Sequence, residues 1–396
     1  MPVAYGKPFV GLTAGYHPYS PDTPPPACGN SPVSYKEMAG NAFYCPAGDF
    51  IAFDDYQLFP ELNKEFGNFT LALVLAHEWG HGIQERANIT GPTVYLEQQA
   101  DCFAGAWAGW VNEGKSADLT LRAGNLDTAL GGFLKFRDEP GTAATDPQAH
   151  GSGFDRVTAF QDGFENGAVK CSHYDTEAPP IVELPFSTTA EASANGNIPV
   201  DEAIALSQKT LNAYWSDILG TSFVPVDSLI AWDPAGATLP KCGDTQATKE
   251  QLTGLIGYCP TDNTVLFDIT EIKNIYNATG DFGVAAVLAE EWARAAQSQT
   301  KDAVEGKEAE LQRDCFSGTW AGWMIAGKGG AGTELSPGDL DEAIQAFIRF
   351  SGSQGGTNAS GVASQSAFDK VTAFRKGVLG TETNCVALYP NGPAGA

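Results

Sequence analysis

The sequence predicts an α+β chain that uses one pattern twice, a small β-sheet followed by about four helices, and three observations predict it. The first is an internal repeat. Cys28, Cys45, Phe53 and Asp54 recur 214 residues later as Cys242, Cys259, Phe267 and Asp268. At an offset of 213, Leu75-Ala76-His77-Glu78-Trp79 returns as Leu288-Ala289-Glu290-Glu291-Trp292, and residues 97–110 return as 310–323. After a one-residue slip the offset is 214 again, pairing Phe154-Asp155 with Phe368-Asp369 and Cys171 with Cys385. The second observation is the order of patterns within a copy, with short β-rich runs near the first cysteines and longer helix-period stretches after them. The third is that the eight cysteines fall into two equivalent sets of four.

Taken in order, residues 9–16 and 49–54 read as extended in copy one, as do 223–232 and 264–268 in copy two. Helices are expected near 69–86, 94–112, 124–137 and 153–166. Residues 176–199 are rich in Pro, Ser, Thr and Ala with little periodicity, which suits a linker. The expected organisation is a domain at 1–175, a linker at 176–200 and a second domain at 201–396. Copy two opens with an amphipathic pattern over 201–215 that copy one lacks, so copy one reads as truncated at its start.

Four cysteines per copy allow three connectivities within a copy. Cys28 and Cys45 flank a short turn-rich segment, while Cys102 lies on a predicted helix and Cys171 just past the last one. This favours 28 with 45 and 102 with 171, and in copy two 242 with 259 and 315 with 385. No C-x-x-C pair suggests a zinc ribbon or a redox motif, so the cysteines read as disulfides of a secreted or cell-envelope protein. The competing reading is a cytosolic enzyme with buried thiols. The opening Met1-Pro2-Val3-Ala4-Tyr5 has no charged region followed by an apolar one, so the targeting segment would have been removed or lie outside this chain.

Composition narrows the function. The 396 residues are 43% hydrophobic and carry a net charge of −25, spread as −14 over residues 1–200 and −11 over 201–396. No basic patch exists to hold phosphates, which argues against nucleic acid and anionic lipid as partners. The longest apolar runs, 71–76 and 284–289, are too short to span a bilayer.

Chemistry concentrates in residues 71–110. The run LALVLA leads into His77-Glu78-Trp79-Gly80-His81, and Glu97-Gln98-Gln99-Ala100-Asp101 follows sixteen residues after His81. On a helix, His77 and His81 stand at i and i+4, so both imidazoles can reach one cation, with Glu78 beside it. The break Asn88-Ile89-Thr90-Gly91-Pro92 permits a helical hairpin that returns Glu97 as a third ligand. Two imidazoles and a carboxylate with an open position suit catalytic Zn²⁺, although Mn²⁺ and Co²⁺ accept the same donors. Glu78 is then the candidate general base. Asp101, one turn after Glu97, is placed to hydrogen-bond a ligating imidazole, with a plain solvated carboxylate as the alternative. His150, in Ala149-His150-Gly151-Ser152-Gly153, is a candidate to stabilise an oxyanion or an ordinary loop histidine. His17 and His173 read as surface residues. Trp79, Trp107 and Trp110 recur as Trp292, Trp320 and Trp323, and read as core.

Copy two departs at the same positions. His77 becomes Glu290, His81 becomes Arg294 and His150 aligns with Ser364, while Glu78 and Glu97 persist as Glu291 and Glu310. Gly80 and Gly82 become Ala293 and Ala295, which are better helix formers. No zinc site is expected there. Arg294 is expected to pair with Glu290, Glu310 or both, supplying the positive charge.

At AHEWGHGIQ, LEQQADCFAGAWAG and HGSGFDRVTAFQDGF followed by Cys171, the chain resembles the bacterial neutral zinc metallopeptidases of the gluzincin type. The resemblance covers most of copy one and, in degenerate form, most of copy two. It implies two tandem zincin-like domains, with His77, His81 and Glu97 as zinc ligands and Glu78 as general base in the first. The expected function is an exported zinc endopeptidase acting on peptide or protein substrates, with an inactive second domain. The alternative is a binding or scaffold protein on the same fold that presents a groove without cleaving.

Overall fold

A computed structural model describes residues 1–30, 32–122, 124–300, 306–350 and 366–390. The chain divides into two compact units, Met1–Glu183 and Leu184–Ala396. Each is mixed α+β, as the sequence predicts.

The first unit opens with a single helical turn, α1 (Pro2–Tyr5), and strand β1 (Gly15–Tyr19); a second turn, α2 (Tyr35–Met38), precedes the hairpin β2 (Ala42–Cys45) and β3 (Phe50–Asp54). The sheet order is β1-β3-β2, with β1 parallel and β2 antiparallel to the central strand. FIAFD supplies the central strand because its β-branched and aromatic residues fill a two-sided core, Ile51 and Ala52 being fully buried. Asp54 ends the strand: Oδ1 accepts from the Tyr56 and Gln57 amides, and Oδ2 from Gly40 N–H and Tyr35 O–H. The expected extended run at 9–16 pairs only from Gly15, where β1 meets β3; Phe9 and Val10 before it are exposed.

Five helices follow: α3 (Leu58–Phe66), α4 (Asn68–Ala87), α5 (Thr93–Asn112), α6 (Asn125–Lys135) and α7 (Gly153–Ser172). The last four match the expected helices, and α7 runs six residues further than predicted by kinking at Gly167, whose φ is +72°. Helices α5 and α7 cross at backbone contact. A Cβ on Gly105 would lie 1.9 Å from the Phe160 carbonyl oxygen, and one on Gly163 1.8 Å from that of Cys102. Bridges Cys28–Cys45 and Cys102–Cys171 form with the favoured pairing. The second joins α5 to the end of α7 inside a core of Phe103, Ala159 and Tyr174.

Within the segment 176–200, residues up to Glu183 group with the first unit, where the Val182 N–H donates to Asp155. From Leu184 the chain groups with the second unit, through the short helix α8 (Thr189–Ser193), which Thr188 and Glu191 cap reciprocally. Helix α9 (Val200–Leu219) then forms over the predicted amphipathic stretch. A sheet of β4 (Ser228–Trp232), β7 (Ile256–Cys259) and β8 (Thr264–Asp268) has the order β4-β8-β7, with β4 parallel and β7 antiparallel to β8. Between β4 and β7 lie a two-stranded pair, β5 (Lys241–Cys242) and β6 (Thr245–Gln246), and the turn α10 (Lys249–Leu252). Helices α11 (Ile269–Thr279), α12 (Asp281–Gln299), α13 (Lys307–Ile325), α14 (Asp339–Phe350), α15 (Ala367–Val378) and α16 (Glu382–Leu388) complete it. Bridges Cys242–Cys259 and Cys315–Cys385 pair as favoured.

The tryptophans correct one expectation. In the second unit Trp292, Trp320 and Trp323 are buried, and α9 covers two of them: Trp292 Nε1 donates to Asn212 and Trp323 Nε1 to Asp217. In the first unit Trp79 and Trp107 are only partly buried and Trp110 is 44% exposed. No helix equivalent to α9 lies over them among the described residues of that unit.

Candidate metal centre

The helix α4 carries His77 and His81 one turn apart, with ring centroids 4.8 Å apart and their Nε2 atoms 3.2 Å apart. Asn88, in the left-handed region at φ 60° and ψ 44°, ends α4, and Pro92 starts α5, so the polar break reverses the chain as expected. The two helices close tightly because residue 80 is glycine: a Cβ there would lie 2.6 Å from Ala100 Cα. This brings Glu97 back, with Oε2 3.2 Å from His77 Nε2 and Oε1 3.4 Å from His81 Nε2. One ligand atom from each of His77, His81 and Glu97 lies within 4.8 Å of the others.

The far side of each imidazole is held. His77 Nδ1 lies 2.7 Å from Asp101 Oδ1. His81 Nδ1 lies 2.9 Å from Gln84 Oε1, and Gln84 is oriented by giving its NH₂ group to Leu96 O and Gln99 Oε1. A proton on each Nδ1 leaves an Nε2 lone pair facing Glu97, whose buried Oε2 accepts no hydrogen bond. Burial opposes charge on His77, but Asp101 and Glu97 outweigh it and raise its pKa to about 10. They raise a proton's hold on this spot, and a divalent cation competes for the same field. The chemistry of the donors, two imidazole nitrogens and one carboxylate, fits Zn²⁺.

Asp101 is completely buried. Burial alone would raise its pKa, but Arg156 and then His77 overturn this and hold it low. Arg156, on α7, clasps it with Nε to Oδ2 at 2.8 Å and Nη2 to Oδ1 at 2.9 Å, and gives Nη1 to Phe136 O. Sequence reasoning missed Arg156 and Gln84. Gln84 recurs as Gln297 and the positive charge of Arg156 as Lys370, and that recurrence was the available signal.

Glu78 sits beside the cluster, buried, with Oε2 accepting from the Tyr44 N–H at 2.7 Å. Burial, as the largest cause, raises its pKa. A cleft of about 480 Å³ opens onto His77, Glu78, His81 and Glu97. The edge strand β2 forms one wall, and Leu73, Val74, Phe133 and Phe136 make it partly apolar. His150 also lines it, half-exposed, with Nδ1 3.4 Å from Asp138 Oδ1; that carboxylate, as the largest cause, raises the His150 pKa. His17 and His173 lie away from this cleft, and His17 is partly buried against Phe50 rather than simply on the surface.

In the second unit the equivalent spot holds a different set. Lys370 Nζ bridges Glu290 Oε2 at 3.1 Å and Asp314 Oδ1 at 2.9 Å, where the first unit has Arg156, His77 and Asp101. The expected partners of Arg294 are Glu290, Glu310 or both; of these, the Glu290 pair gives way to this bridge, and Arg294 Nε binds Glu291 at 3.0 Å. The reason is reach, since Lys370 enters from α15 directly between the two carboxylates, while Arg294 is 45% exposed at its side chain. Ser364, aligned with His150, lies outside the described residues.

Residues 25–174 match the model of a family described as "Putative neutral zinc metallopeptidase". Among curated proteins, the chain is 28% identical over 150 residues to the uncharacterized protein YpfJ of Escherichia coli, covering 32% of this chain and 50% of that protein. It is 30% identical over 152 residues to the uncharacterized protein Rv2575 of Mycobacterium tuberculosis, covering 32% and 52%. The uncharacterized protein Mb2605 of Mycobacterium bovis gives the same figures. The chain spans about half the length of the curated relatives it matches. No solved structure matches it. The stretch that brings His77, His81 and Glu97 together is thus the stretch that matches the neutral zinc metallopeptidase family.

Proposed function

We propose that the first unit is a zinc-dependent peptidase of an exported protein and that the second unit is a folded non-enzyme. The observation that carries this is the convergence of His77 Nε2, His81 Nε2 and Glu97 beside the buried carboxylate of Glu78. Bound by these three donors, Zn²⁺ would supply Lewis acidity to polarise a substrate carbonyl and to acidify water.

The chain's own residues do the rest. Asp101 and Gln84 hold the Nδ1 protons and so keep both Nε2 atoms available. Glu78 Oε2 is committed to the Tyr44 amide, which leaves Oε1 to take a proton from the attacking water and return it to the leaving amine. A pKa raised by burial suits a group that must hold that proton between the two steps. His150, whose pKa Asp138 raises, reaches the same cleft and would stabilise a developing oxyanion. The edge strand β2 runs along the cleft with its Ala42 and Tyr44 N–H groups taken by Asn41 Oδ1 and Glu78, so an extended peptide laid beside it would donate to the strand's outward carbonyls, which favours peptides over other acyl substrates. Four disulfides support an oxidising compartment, and no described helix is long and apolar enough to cross a membrane.

For the second unit, a specific observation favours the non-catalytic reading. Glu290 and Arg294 stand where the imidazole donors would be, and Lys370, at the place of Arg156, bridges Glu290 and Asp314 with a cation of the chain's own. The test is the pair Glu78→Gln and His81→Ala, assayed on unstructured protein substrates with metal content measured in parallel. Glu78→Gln is expected to keep zinc and lose hydrolysis by about a hundredfold or more. His81→Ala is expected to lose both. Hydrolysis that survives either change sinks the assignment.

A further inference from the structure

Away from the cleft, the second unit gathers three carboxylates that the peptidase reading does not use. Asp281 opens α12, Asp339 opens α14, and Glu342 lies one turn further along α14. One carboxylate oxygen from each lies within 4.8 Å of the others. All three side chains are buried, and among the described residues no lysine, arginine or histidine forms an ion pair with any of them.

Backbone donors satisfy part of the cluster. Ile198 N–H reaches Asp281 Oδ2 at 3.0 Å, Ser336 N–H reaches Asp339 Oδ2 at 2.9 Å, and Phe282 N–H reaches Glu342 Oε2 at 2.9 Å. Asn197 Nδ2 adds a longer contact to Glu342 Oε1 at 3.3 Å. Asp281 Oδ1, by contrast, is buried on a residue only 9% exposed and meets no N–H or O–H donor. A cavity of about 240 Å³ reaches Asp281 and Asp339, and the buried Trp320, whose indole N–H has no partner, also lines it.

Helix capping does not account for three charges. At the equivalent repeat positions the first copy has Asn68, Asn125 and Thr128, and α4 and α6 begin at those asparagines just as α12 and α14 begin at Asp281 and Asp339. Neutral residues therefore serve at these helix starts. Gly280, at φ +107°, makes the approach possible, because a Cβ there would lie 2.1 Å from the Glu342 carboxylate carbon. Clustered carboxylates out of water repel unless protons or a cation neutralise them. The donors are all oxygen, with neither imidazole nor thiolate, which favours a hard cation that accepts many oxygens over zinc.

We propose that Asp281, Asp339 and Glu342 form a calcium site that ties the starts of α12 and α14 together in the second unit. Water in the adjoining cavity completes its coordination, and the site is independent of the histidine cluster.

The test uses the full chain, stripped with a chelator and then dialysed free of it. Calcium chloride is titrated by calorimetry, and terbium(III) is titrated in parallel, with emission sensitised through tryptophan and displaced by calcium. One calcium should bind per chain at millimolar affinity or better, the range of extracellular calcium modules, and raise the melting temperature. Glu342→Gln should weaken binding by about tenfold or more, yet melt above the parent in chelator, since it relieves the repulsion. Asp339→Asn is the second variant if that one fails to fold. Three results overturn the proposal: no calcium binding by the parent at several millimolar, unchanged affinity in the folded variants, or magnesium and zinc displacing terbium as well as calcium does. A parent that ignores calcium while Glu342→Gln stabilises it would mean that shared protons hold the cluster.

Discussion

Arg156 shows how much a single side chain carries at this site. Its guanidinium keeps the fully buried Asp101 ionised and in place behind His77. Arg156→Ala strands that charge and is expected to destabilise the first unit by about 3–5 kcal/mol, read as a shift in denaturant midpoint. Arg156→Lys, the choice of the second unit, should cost less but still lose the two-pronged grip. Asp49 offers a pH test. It sits at φ 49° in the turn before β3, a backbone region that Asn also tolerates. Burial opposes its ionisation, but hydrogen bonds from Thr13, then Arg86 and Tyr44, overcome this and lower its pKa to about 2. A depressed carboxylate contributes stability above its unfolded pKa of about 3.9 and loses it as pH falls through about 2. Asp49→Asn should therefore narrow the stability difference between pH 5 and pH 2 by about 1 to 2 kcal/mol, in parallel denaturant melts of parent and variant. Residue by residue, the cluster was readable where helix geometry fixes it. His77, His81, Glu97 and Asp101 follow from i,i+4 spacing and one hairpin. Arg156 stands 55 residues from Asp101, and only packing brings them together.

Among elements, the crossing of α5 and α7 is the least forgiving. Gly105 and Gly163 each face a carbonyl of the other helix at under 2 Å from where a Cβ would stand, and the atoms in the way are backbone. Gly318 and Gly377 make the same contact between α13 and α15. Gly105→Ala must push the helices apart, so it is expected to cost at least about 1–3 kcal/mol; thermal melts of the variant check this, and an unchanged melting temperature would contradict the geometry. The long helices were legible because apolar positions recur over many turns. The strands β2 and β7 were not, since four residues give too little alternation to read. Helix α3 was hidden by Pro60, which stands in its first turn, where proline is tolerated rather than disruptive.

At the scale of the molecule, the repeat carried the pairing favoured for the first copy over to the second, while the sheet order that the two units share was not read from the sequence. What it could not give was the rearranged charge in the second unit, which depends on partners that changed together. The bridge made by Lys370 has a consequence for any attempt to turn that unit into a metal binder. Glu290→His with Arg294→His supplies two imidazoles but not their supports. Asp314, which would orient one ring, is bound by Lys370. The Gln297 oxygen, which would orient the other, accepts from Arg313, a buried residue where the first unit has Ala100. The double variant is therefore expected to take up no zinc beyond that of the first unit by elemental analysis, and the quadruple variant that adds Arg313→Ala and Lys370→Arg to take up about one further equivalent. The second unit thus works as a lock with two wards: Lys370 and Arg313 each engage a support that an introduced histidine would need, so opening it to a metal takes more than the two most visible substitutions.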